Sequence, residues 1–441
     1  MQKQIKQVWA KHLTKKIVAA SVSAALAFTP LISNACTSFA LKGSDGGYVY
    51  GRTMEFGMPL KSELITIPKN YALKGIGIDG QYGSGRGWST KYAVAGMNPL
   101  GLPELVDGMN EKGLMGGVLN LPNSAQYQAV SSAESSESIS SLQVLTYALT
   151  NFATVDEVKA GLQKIKVNGT KLAQYGNNTP LVHYTFHDAN GKSIAVEYLK
   201  GQLTITDNPT TVMTNDPPFQ DHLNQIGNYA NLSNVEKPSV KINGATFKAP
   251  SSGTGLHGMP GDFLSPSRFI RALFLSNSVP SSFTNAQMSE AAWHILGSFD
   301  IPPGSVTLPA SNPYGGGLGG YEVTEWSVVA NNKNMTYSVK MYENTNIYVF
   351  DFKKFDVNAK AIKSTKLNQP KLTFPVNWNR MDEPNPRHWQ KLGLAASFPT
   401  WPGYPTHHAG RPIQFHFSLL ECNTWQHWHW PVRGALKPSL S

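Results

Sequence analysis

The sequence is poor in charged residues and in cysteine, and each scarcity excludes a class of protein. Charged residues make up only 15% of the 441 residues and apolar residues make up 41%, so the chain is too apolar to be disordered. The only cysteines are Cys36 and Cys422. One disulfide between them is the simplest use, but a single bridge across nearly the whole chain is a poor scaffold for a domain that holds its own core. We therefore expect one large or two modest cores, with Cys36 available for chemistry.

The formal charge of +10 does not indicate a nucleic-acid partner. Five lysines and no acidic residue lie in the first 35 residues, whereas residues 36–372 carry 27 basic and 25 acidic residues. Long hydrophobic runs are also missing after residue 35, where no stretch approaches the roughly 20 apolar residues that span a bilayer. Nucleic-acid binding and a membrane span in the mature chain are therefore both disfavoured.

The first 35 residues have the pattern of a secretory signal peptide. Residues 1–16 are polar and basic, residues 17–32 are mostly apolar, and a small-residue cleavage site ends at Ala35. This predicts cleavage between Ala35 and Cys36 and a secreted or periplasmic protein. An uncleaved anchor is disfavoured because the apolar segment is short and contains a proline. A lipid-anchored binding protein stays an alternative of another class, although Ser33 stands where lipoprotein signals normally have leucine.

Cleavage at this point makes Cys36 the first residue of the mature chain. Its α-amine, with a reference pKa near 8, is then able to accept the proton of its own thiol. One residue thus supplies both nucleophile and general base, and signal removal becomes an activation step.

The segment after Cys36 reads as strands with a few helices. Residues rich in β-branched and aromatic types predict strands at 48–54, 64–67, 182–187, 194–199 and 336–342, and residues 188–191 predict a hairpin turn. Helical spacing appears at 142–152 and 265–275, and Thr154 to Glu157 has the form of a capping box. Because strands and helices do not alternate regularly, we expect an α+β domain rather than a doubly wound sheet.

Two other patterns do not fit their context. Glycines beginning at Gly75 and at Gly315 satisfy the dinucleotide-binding spacing, but neither run opens a helix, so we interpret both as loops. His183 and His187 stand four residues apart, which on a helix would indicate a metal site. They lie on a predicted strand, so we interpret them as a strand pair.

Seven motifs occur in fixed order, beginning at Cys36, Gly51, Thr90, Asp107, Leu119, Thr214 and Gly261. Together they resemble the choloylglycine hydrolase family, which includes conjugated bile-salt hydrolases and penicillin V acylases among the N-terminal-nucleophile hydrolases. The likeness covers about residues 36–370. It implies a four-layer αββα sandwich of two antiparallel sheets between helical layers, hydrolysis of a linear amide C–N bond, no metal or organic cofactor, and a dimer or tetramer as a candidate assembly.

The resemblance also implies roles for three residues near the new amino terminus. Cys36 matches the nucleophile, whose thiolate attacks the amide carbonyl to give a thioester. Arg52 matches an arginine whose permanent cation favours the thiolate. Glu55 stands where the bile-salt hydrolases have an aspartate that holds the α-amine, so the charge is kept on a longer arm. The alternative for Arg52 and Glu55 is an ordinary surface ion pair.

Three further residues match the remaining site positions of the family. The backbone amide of Asn120 and the side chain of Asn215 correspond to the oxyanion donors, and Arg268 corresponds to an arginine that supports the electrostatics. Asp107 and Asn110 are interpreted as turn residues that position the strand of Asn120.

By the same analogy, the segment after Glu55 and the segment after Tyr92 are two apolar loops that bind the acyl group. The acyl group is apolar in conjugated bile salts, penicillin V and acyl-homoserine lactones alike. Bile salts are the first expectation and the other two are alternatives, as is an inactive member that only binds acylated amines. The expected contacts are Phe56, Met58, Leu60, Met97, Leu100 and Leu102.

The composition changes abruptly near residue 372. Six of the ten tryptophans and six of the twelve histidines fall in residues 373–441. We expect a signal peptide at 1–35, a linear amide C–N hydrolase domain at 36–372 and an appendage at 373–441 that does not carry the main chemistry. One hypothesis is that the appendage arises by read-through or a frame change, which an intact reading frame together with a protease-resistant tail would refute.

Overall fold

Short segments rich in β-branched, aromatic and small residues build most of the fold, with α-helices between them. The computed structural model describes residues 36–308 and 320–367. In these ranges the strands are β1 (Thr37–Lys42), β2 (Tyr48–Phe56), β3 (Leu64–Ile67), β4 (Ala72–Ile76), β5 (Tyr82–Ser89), β6 (Val94–Met97), β7 (Asp107–Asn110), β8 (Met115–Asn120), β9 (Ser138–Ser140), β10 (Lys166–Asn168), β11 (Val182–His187), β12 (Ser193–Leu199), β13 (Gln202–Asp207), β14 (Val240–Ile242), β15 (Ala245–Phe247), β16 (Val323–Asn331), β17 (Thr336–Met341), β18 (Asn344–Asp351) and β19 (Lys363–Thr365). The helices are α1 (Val144–Asn151), α2 (Val155–Leu162), α3 (Phe219–Gln225), α4 (Ser265–Ser278) and α5 (Asn285–Gly297).

Two large antiparallel sheets form the centre of the molecule. One has the strand order β1-β2-β16-β17-β18 and the other β13-β12-β11-β8-β7-β6-β3-β19. Helices α4 and α5 pack on β1, β2 and β16 of the first sheet, and α1 packs on β7 and β8 of the second. The apolar faces of the sheets meet in a shared core. The α+β prediction and the four-layer αββα arrangement are confirmed.

The strongest local patterns of the sequence reappear in the structure. Strands β3 and β11 have the predicted bounds, and the turn between β11 and β12 is held by Asp188, whose Oδ1 accepts from the N–H groups of Asn190 and Lys192. Thr154 Oγ1 caps helix α2 by accepting from Glu157 N at 3.2 Å. The Glu157 carboxylate accepts from Ala153 N instead of Thr154 N, so only half of the expected capping box forms.

The glycine runs and the histidine pair, interpreted from the sequence as loops and as a strand pair, have clear local structures within the described residues. Gly75 lies in β4 and Gly80, with φ of +77°, lies in the turn before β5, so this glycine run opens no helix. His183 and His187 both lie on β11. Part of the second glycine run, together with residues 1–35 and 368–441, lies outside the described residues. Within residues 36–308 and 320–367, no helix is long and apolar enough to cross a membrane.

Candidate active site

Cys36 immediately precedes β1 and lies under the first sheet. Because Thr37 pairs with Thr53 on β2, the Cys36 side chain falls beside Met54 and Arg52. Its Sγ is 3.6 Å from Arg52 Nη2 and 3.7 Å from Met54 Sδ. The cysteine carries a free thiol and is 1% exposed. The chain thus brings a thiol and a guanidinium together in the core.

Arg52 is anchored in the second sheet and is not a surface residue. Its Nη1 donates to Val106 O at 2.8 Å and lies 3.4 Å from Asp107 Oδ2, and its Nη2 donates to Val118 O. Both side chains of the ion pair are fully buried. The guanidinium is therefore held in one place by two neighbouring strands, with one face toward Cys36.

Asp107 is the counter-ion of Arg52, so its interpretation as a turn residue is wrong. It lies on β7, and two tyrosines donate to its carboxylate, Tyr50 at 2.8 Å and Tyr337 at 2.7 Å. Burial raises the pKa of Asp107 to about 6, against the lowering effect of the Arg52 charge and the hydrogen bonds. In the sequence, aspartate followed by glycine is typical of a turn. The residues that bury Asp107 are at positions 50 and 337, which are distant in sequence, so no local pattern reveals its burial. Asn110 does hold the β7–β8 turn, through bonds from Lys112 N and Leu114 N.

The Asn215 carboxamide joins four parts of the chain. Its Oδ1 accepts from Cys36 N at 2.6 Å and from Arg268 Nη2 at 2.8 Å, and its Nδ2 donates to Asn120 O at 2.9 Å. These partners allow only one orientation of the amide, since a flipped amide would point its hydrogens at two donors. With the contact between Arg52 and Cys36, five of the six expected site residues are therefore linked by direct contacts.

Arg268 projects from helix α4 to the start of β1. Its Nη1 donates to Cys36 O and, at 2.8 Å, to Thr37 Oγ1, while Nε donates to Phe263 O at 2.9 Å. The side chain is buried and is not the solvated helix residue that its position alone would suggest. Arg268 thereby fixes both the Cys36 backbone and the Asn215 side chain.

Glu55 is fully buried but does not contact the Cys36 nitrogen. Side chains alternate along β2, so Glu55 shares the sheet face of its partner Thr324 on β16, whose hydroxyl donates to Glu55 Oε1 at 3.1 Å. Burial raises the pKa of Glu55 to about 8; the Arg268 charge opposes this rise and the Glu322 charge adds to it. Asn215, not Glu55, holds the Cys36 nitrogen in the 441-residue chain.

The two largest influences on the pKa of the Cys36 thiol oppose each other. Burial raises its pKa and is the larger effect, while the Arg52 charge lowers it. The expectation that Arg52 favours the thiolate therefore has the right direction, but desolvation prevails in the 441-residue chain.

The expected acyl-binding residues divide by burial. Leu60 and Met97 belong to the core, at 2% and 0% exposure, whereas Met58, Leu100 and Leu102 are half-buried. Phe56 is buried and lies edge-on to Tyr175, with ring centroids 6.3 Å apart. The two loops meet where Leu100 N donates to Leu60 O at 2.7 Å, beside a cavity of about 660 Å³ that Leu100, Val323 and Glu325 help to line.

Several polar residues around Asn215 were not identified as site residues from the sequence. The backbone of residues 214 and 215 is bound by His183 from β11, His222 from α3 and Ser265 from α4. A histidine pattern was visible at 183 and 187, but nothing local distinguishes the residue that reaches Thr214 from the one that does not. No group of three His, Cys, Asp or Glu side chains in the described parts of the chain has the geometry of a metal site.

Comparison with known proteins assigns this arrangement to a family. The model of the linear amide C–N hydrolases, choloylglycine hydrolase family, matches residues 36–365. The chain belongs to the choloylglycine hydrolase family. It is therefore a hydrolase of linear amide C–N bonds, and the resemblance seen in the seven motifs is confirmed.

Individual members of the choloylglycine hydrolase family are similar over most of the chain. A bile salt hydrolase/transferase from Clostridium perfringens is 31% identical over 344 residues, which are 78% of this chain and 99% of the relative. A penicillin V acylase from Pectobacterium atrosepticum is 28% identical over 372 residues, covering 80% of this chain and 90% of the relative. A crystal structure of the conjugated bile acid hydrolase from Clostridium perfringens superposes with a TM-score of 0.67 at 29% identity, covering 78% of this chain and all of that one.

Proposed function

We propose that the chain is exported, cleaved between Ala35 and Cys36, and then hydrolyses an N-acyl amide with the Cys36 thiol as nucleophile. The observation that carries this proposal is the position of Cys36, with its Sγ 3.6 Å from the Arg52 guanidinium and its nitrogen 2.6 Å from Asn215 Oδ1. Cleavage converts that nitrogen into an amine without moving it from the polar cluster.

The free amine then starts the reaction. It takes the thiol proton, and the resulting thiolate is stabilised by the charge of Arg52. The thiolate attacks the substrate carbonyl, and the new C–S bond leaves a negative charge on the carbonyl oxygen. As the C–N bond breaks, the ammonium group of Cys36 returns its proton to the departing amine. A water molecule, activated by the freed amine, hydrolyses the thioester and restores the thiol.

Asn215 and Asn120 serve the oxyanion in this mechanism. One hydrogen of Asn215 Nδ2 is bound to Asn120 O, which leaves the second for the developing negative charge, together with the backbone N–H of Asn120. Arg268 keeps Oδ1 of Asn215 directed toward the Cys36 nitrogen. Glu55 acts at longer range, as a buried carboxyl group whose charge also influences the Cys36 thiol.

We propose conjugated bile salts as the substrates. Support comes from the 31% identity to a bile salt hydrolase/transferase over nearly the full length of that relative, and from the apolar residues of the two loops. Penicillin V, or another small acyl amide such as an acyl-homoserine lactone, is the second candidate, supported by the similarity to a penicillin V acylase across 80% of the chain. Phe56, Met58, Leu100 and Leu102 are the residues we expect the acyl group to meet.

The decisive experiment is a substrate panel with the processed protein. Glycocholate, taurocholate, penicillin V and acyl-homoserine lactones are mixed at equal concentration, and each free amine is followed by mass spectrometry. Release of glycine or taurine supports the bile-salt assignment, and release from penicillin V or the lactones alone supports the second candidate. Binding without release identifies an inactive member and overturns the catalytic proposal.

The nucleophile is tested with Cys36→Ala. We expect complete loss of turnover with an unchanged circular dichroism spectrum and melting temperature, and residual turnover of any amide would contradict the mechanism. Cys36→Ser is less decisive, because a hydroxyl can replace a thiol weakly. The mass of the exported protein tests processing: a mass that begins at Cys36 supports simple cleavage, whereas added diacylglycerol and acyl chains identify the lipid-anchored alternative.

A further inference from the structure

Two histidines bind successive carbonyl groups of the segment that carries Asn215. His183 Nε2 lies 2.8 Å from Thr214 O, and His222 Nε2 lies 2.8 Å from Asn215 O. A carbonyl oxygen can only accept, so each Nε2 must carry a proton. The histidines come from β11 and α3, which are separate in sequence, and both side chains are buried.

The second nitrogen of His183 faces a carboxylate. Its Nδ1 lies 3.0 Å from Glu197 Oε1, which also accepts from Phe219 N at 3.0 Å. With Nε2 already protonated, a favourable contact at Nδ1 requires one more proton, shared between the imidazole and the carboxylate. His183 and Glu197 therefore form a buried hydrogen-bonded pair that shares this proton and reaches both Thr214 and the start of helix α3.

The second nitrogen of His222 is an acceptor. Gln225 Nε2 donates to His222 Nδ1 at 3.1 Å, which fixes the neutral tautomer with its proton on Nε2. The ring stacks on Phe269 of helix α4 with a centroid distance of 4.8 Å and an interplanar angle of 16°. Burial lowers the pKa of His222 to about 4, so the ring stays neutral at ordinary assay pH.

These contacts leave the Asn215 backbone almost no freedom. Its N–H donates to Ser265 Oγ at 2.9 Å, and its carbonyl accepts from His222. The preceding residue is tied to His183, and Met213 pairs with Ser38 on β1. Because the backbone is fixed, the direction of the Asn215 carboxamide toward Cys36 N and Asn120 O is fixed as well.

We infer that His183 and His222 are positioning residues for amide hydrolysis, which hold Asn215 in the geometry that its carboxamide needs. This inference rests on the function proposed above, in which Asn215 donates to the oxyanion. Misplacement of a reacting group by about 1 Å can cost about 100-fold in rate, so the hold on two consecutive carbonyls is significant for turnover.

A matched pair of substitutions at His222 separates positioning from packing. In His222→Gln the amide nitrogen reaches the place of Nε2 and can still donate to Asn215 O. In His222→Asn the amide nitrogen reaches only the place of Nδ1. We expect kcat of the Asn variant to fall by about 10- to 100-fold with KM nearly unchanged, and kcat of the Gln variant to stay within about threefold of the parent.

A second readout tests whether the loss is local. Complete alkylation of Cys36 by iodoacetamide counts the intact thiols, so both variants should react to the parental extent, and kcat is normalised to alkylatable thiol. Asn224→Ala, on the exposed face of the same helix, is the control and should leave kcat unchanged. Equal kcat in the Gln and Asn variants, or a parallel loss of alkylation, would overturn the inference.

The same comparison at His183 covers the case in which the His222 variants do not fold. Both His183 variants, to Gln and to Asn, also carry Glu197→Gln, so that the Glu197 carboxylate is not left buried without a partner. His183→Gln should then support turnover and His183→Asn should not, and equal activity of the two contradicts the inference. Cys36→Ala is measured in the same series. Turnover by Cys36→Ala overturns the proposed function. If Cys36→Ala is inactive but the Gln and Asn variants of the histidine have equal activity, only the positioning role is overturned.

Discussion

Arg52 and Asp107 form an ion pair that is completely buried between the two sheets, with Nη1 3.4 Å from Oδ2. The guanidinium has the Cys36 thiol on its other side, at 3.6 Å. One cation is thus shared by a buried carboxylate and a thiol that ionises during the proposed reaction. The strength with which Arg52 stabilises the thiolate therefore depends on Asp107, which is seventy-one residues from Cys36 in the sequence.

Neutralising Asp107 should make the thiol more acidic and the protein less stable. Asp107→Asn keeps one acceptor oxygen for one tyrosine and places an NH2 donor at the other position, where the second tyrosine oxygen can accept, and the thiolate becomes the nearest counter-ion of Arg52. We expect the midpoint of iodoacetamide alkylation against pH to move to lower pH, and the free energy of unfolding to fall by about 3 kcal/mol because a buried charge loses its partner. Glu104→Gln neutralises another buried carboxyl group, bound by Tyr82 and Gln143, and should leave the alkylation profile unchanged.

Removing the Asn215 carboxamide should affect the chemical step most. Asn215→Ala loses the bonds to Cys36 N and Asn120 O and, in the proposed mechanism, one oxyanion donor. We expect kcat to fall by about 100- to 1000-fold. Steady-state kinetics on the released amine provide the measurement, and a change confined to KM would assign Asn215 to substrate binding instead.

Glu55 should make the chain that retains residues 1–35 less stable as the pH rises. Its folded pKa of about 8 exceeds the ordinary value of 4.5, so the folded form keeps a proton that the unfolded form releases. The free energy of unfolding should therefore fall between pH 4.5 and about 8, by at most about 1.4 kcal/mol per pH unit. Urea unfolding across this range should show a flatter dependence for Glu55→Gln, and the exposed Glu137→Gln should behave like the parent.

His187 should have the opposite effect, at acid pH. Burial lowers its folded pKa to about 3 from the ordinary 6.5, so the unfolded form binds a proton that the folded form does not. Its contribution to stability is present above pH 6.5 and is lost as the pH falls toward 3, by about 2 to 3 kcal/mol at pH 4.5. Unfolding measured from pH 7 to 4.5 should be less acid-sensitive in His187→Phe. The prediction is contradicted if His294→Phe, at an exposed position, reduces the acid sensitivity of unfolding by the same amount.

Local sequence patterns were sufficient for some of the elements and for the family. Strand β3 and the β11–β12 hairpin followed from β-branched residues and an Asp-x-Asn-Gly turn, and the Thr154 cap followed from a hydroxyl beside an acidic first turn. These features depend on neighbours within a few residues, so the chain itself specifies them. The seven spaced motifs were likewise enough to identify a linear amide hydrolase of the choloylglycine hydrolase family.

The electrostatics of the site required the assembled sheets. Asp107 was mistaken for a turn residue because its partners Arg52, Tyr50 and Tyr337 come from the other sheet. Glu55 was expected at the Cys36 nitrogen, but strand alternation places it beside Thr324, and Asn215 takes the nitrogen instead. Residue type and spacing along the chain thus specified which groups the site contains. Burial and contacts between distant strands specified which charges pair, which protons are held and which side chain faces the thiol, because desolvation and hydrogen bonding depend on neighbours that only folding brings together.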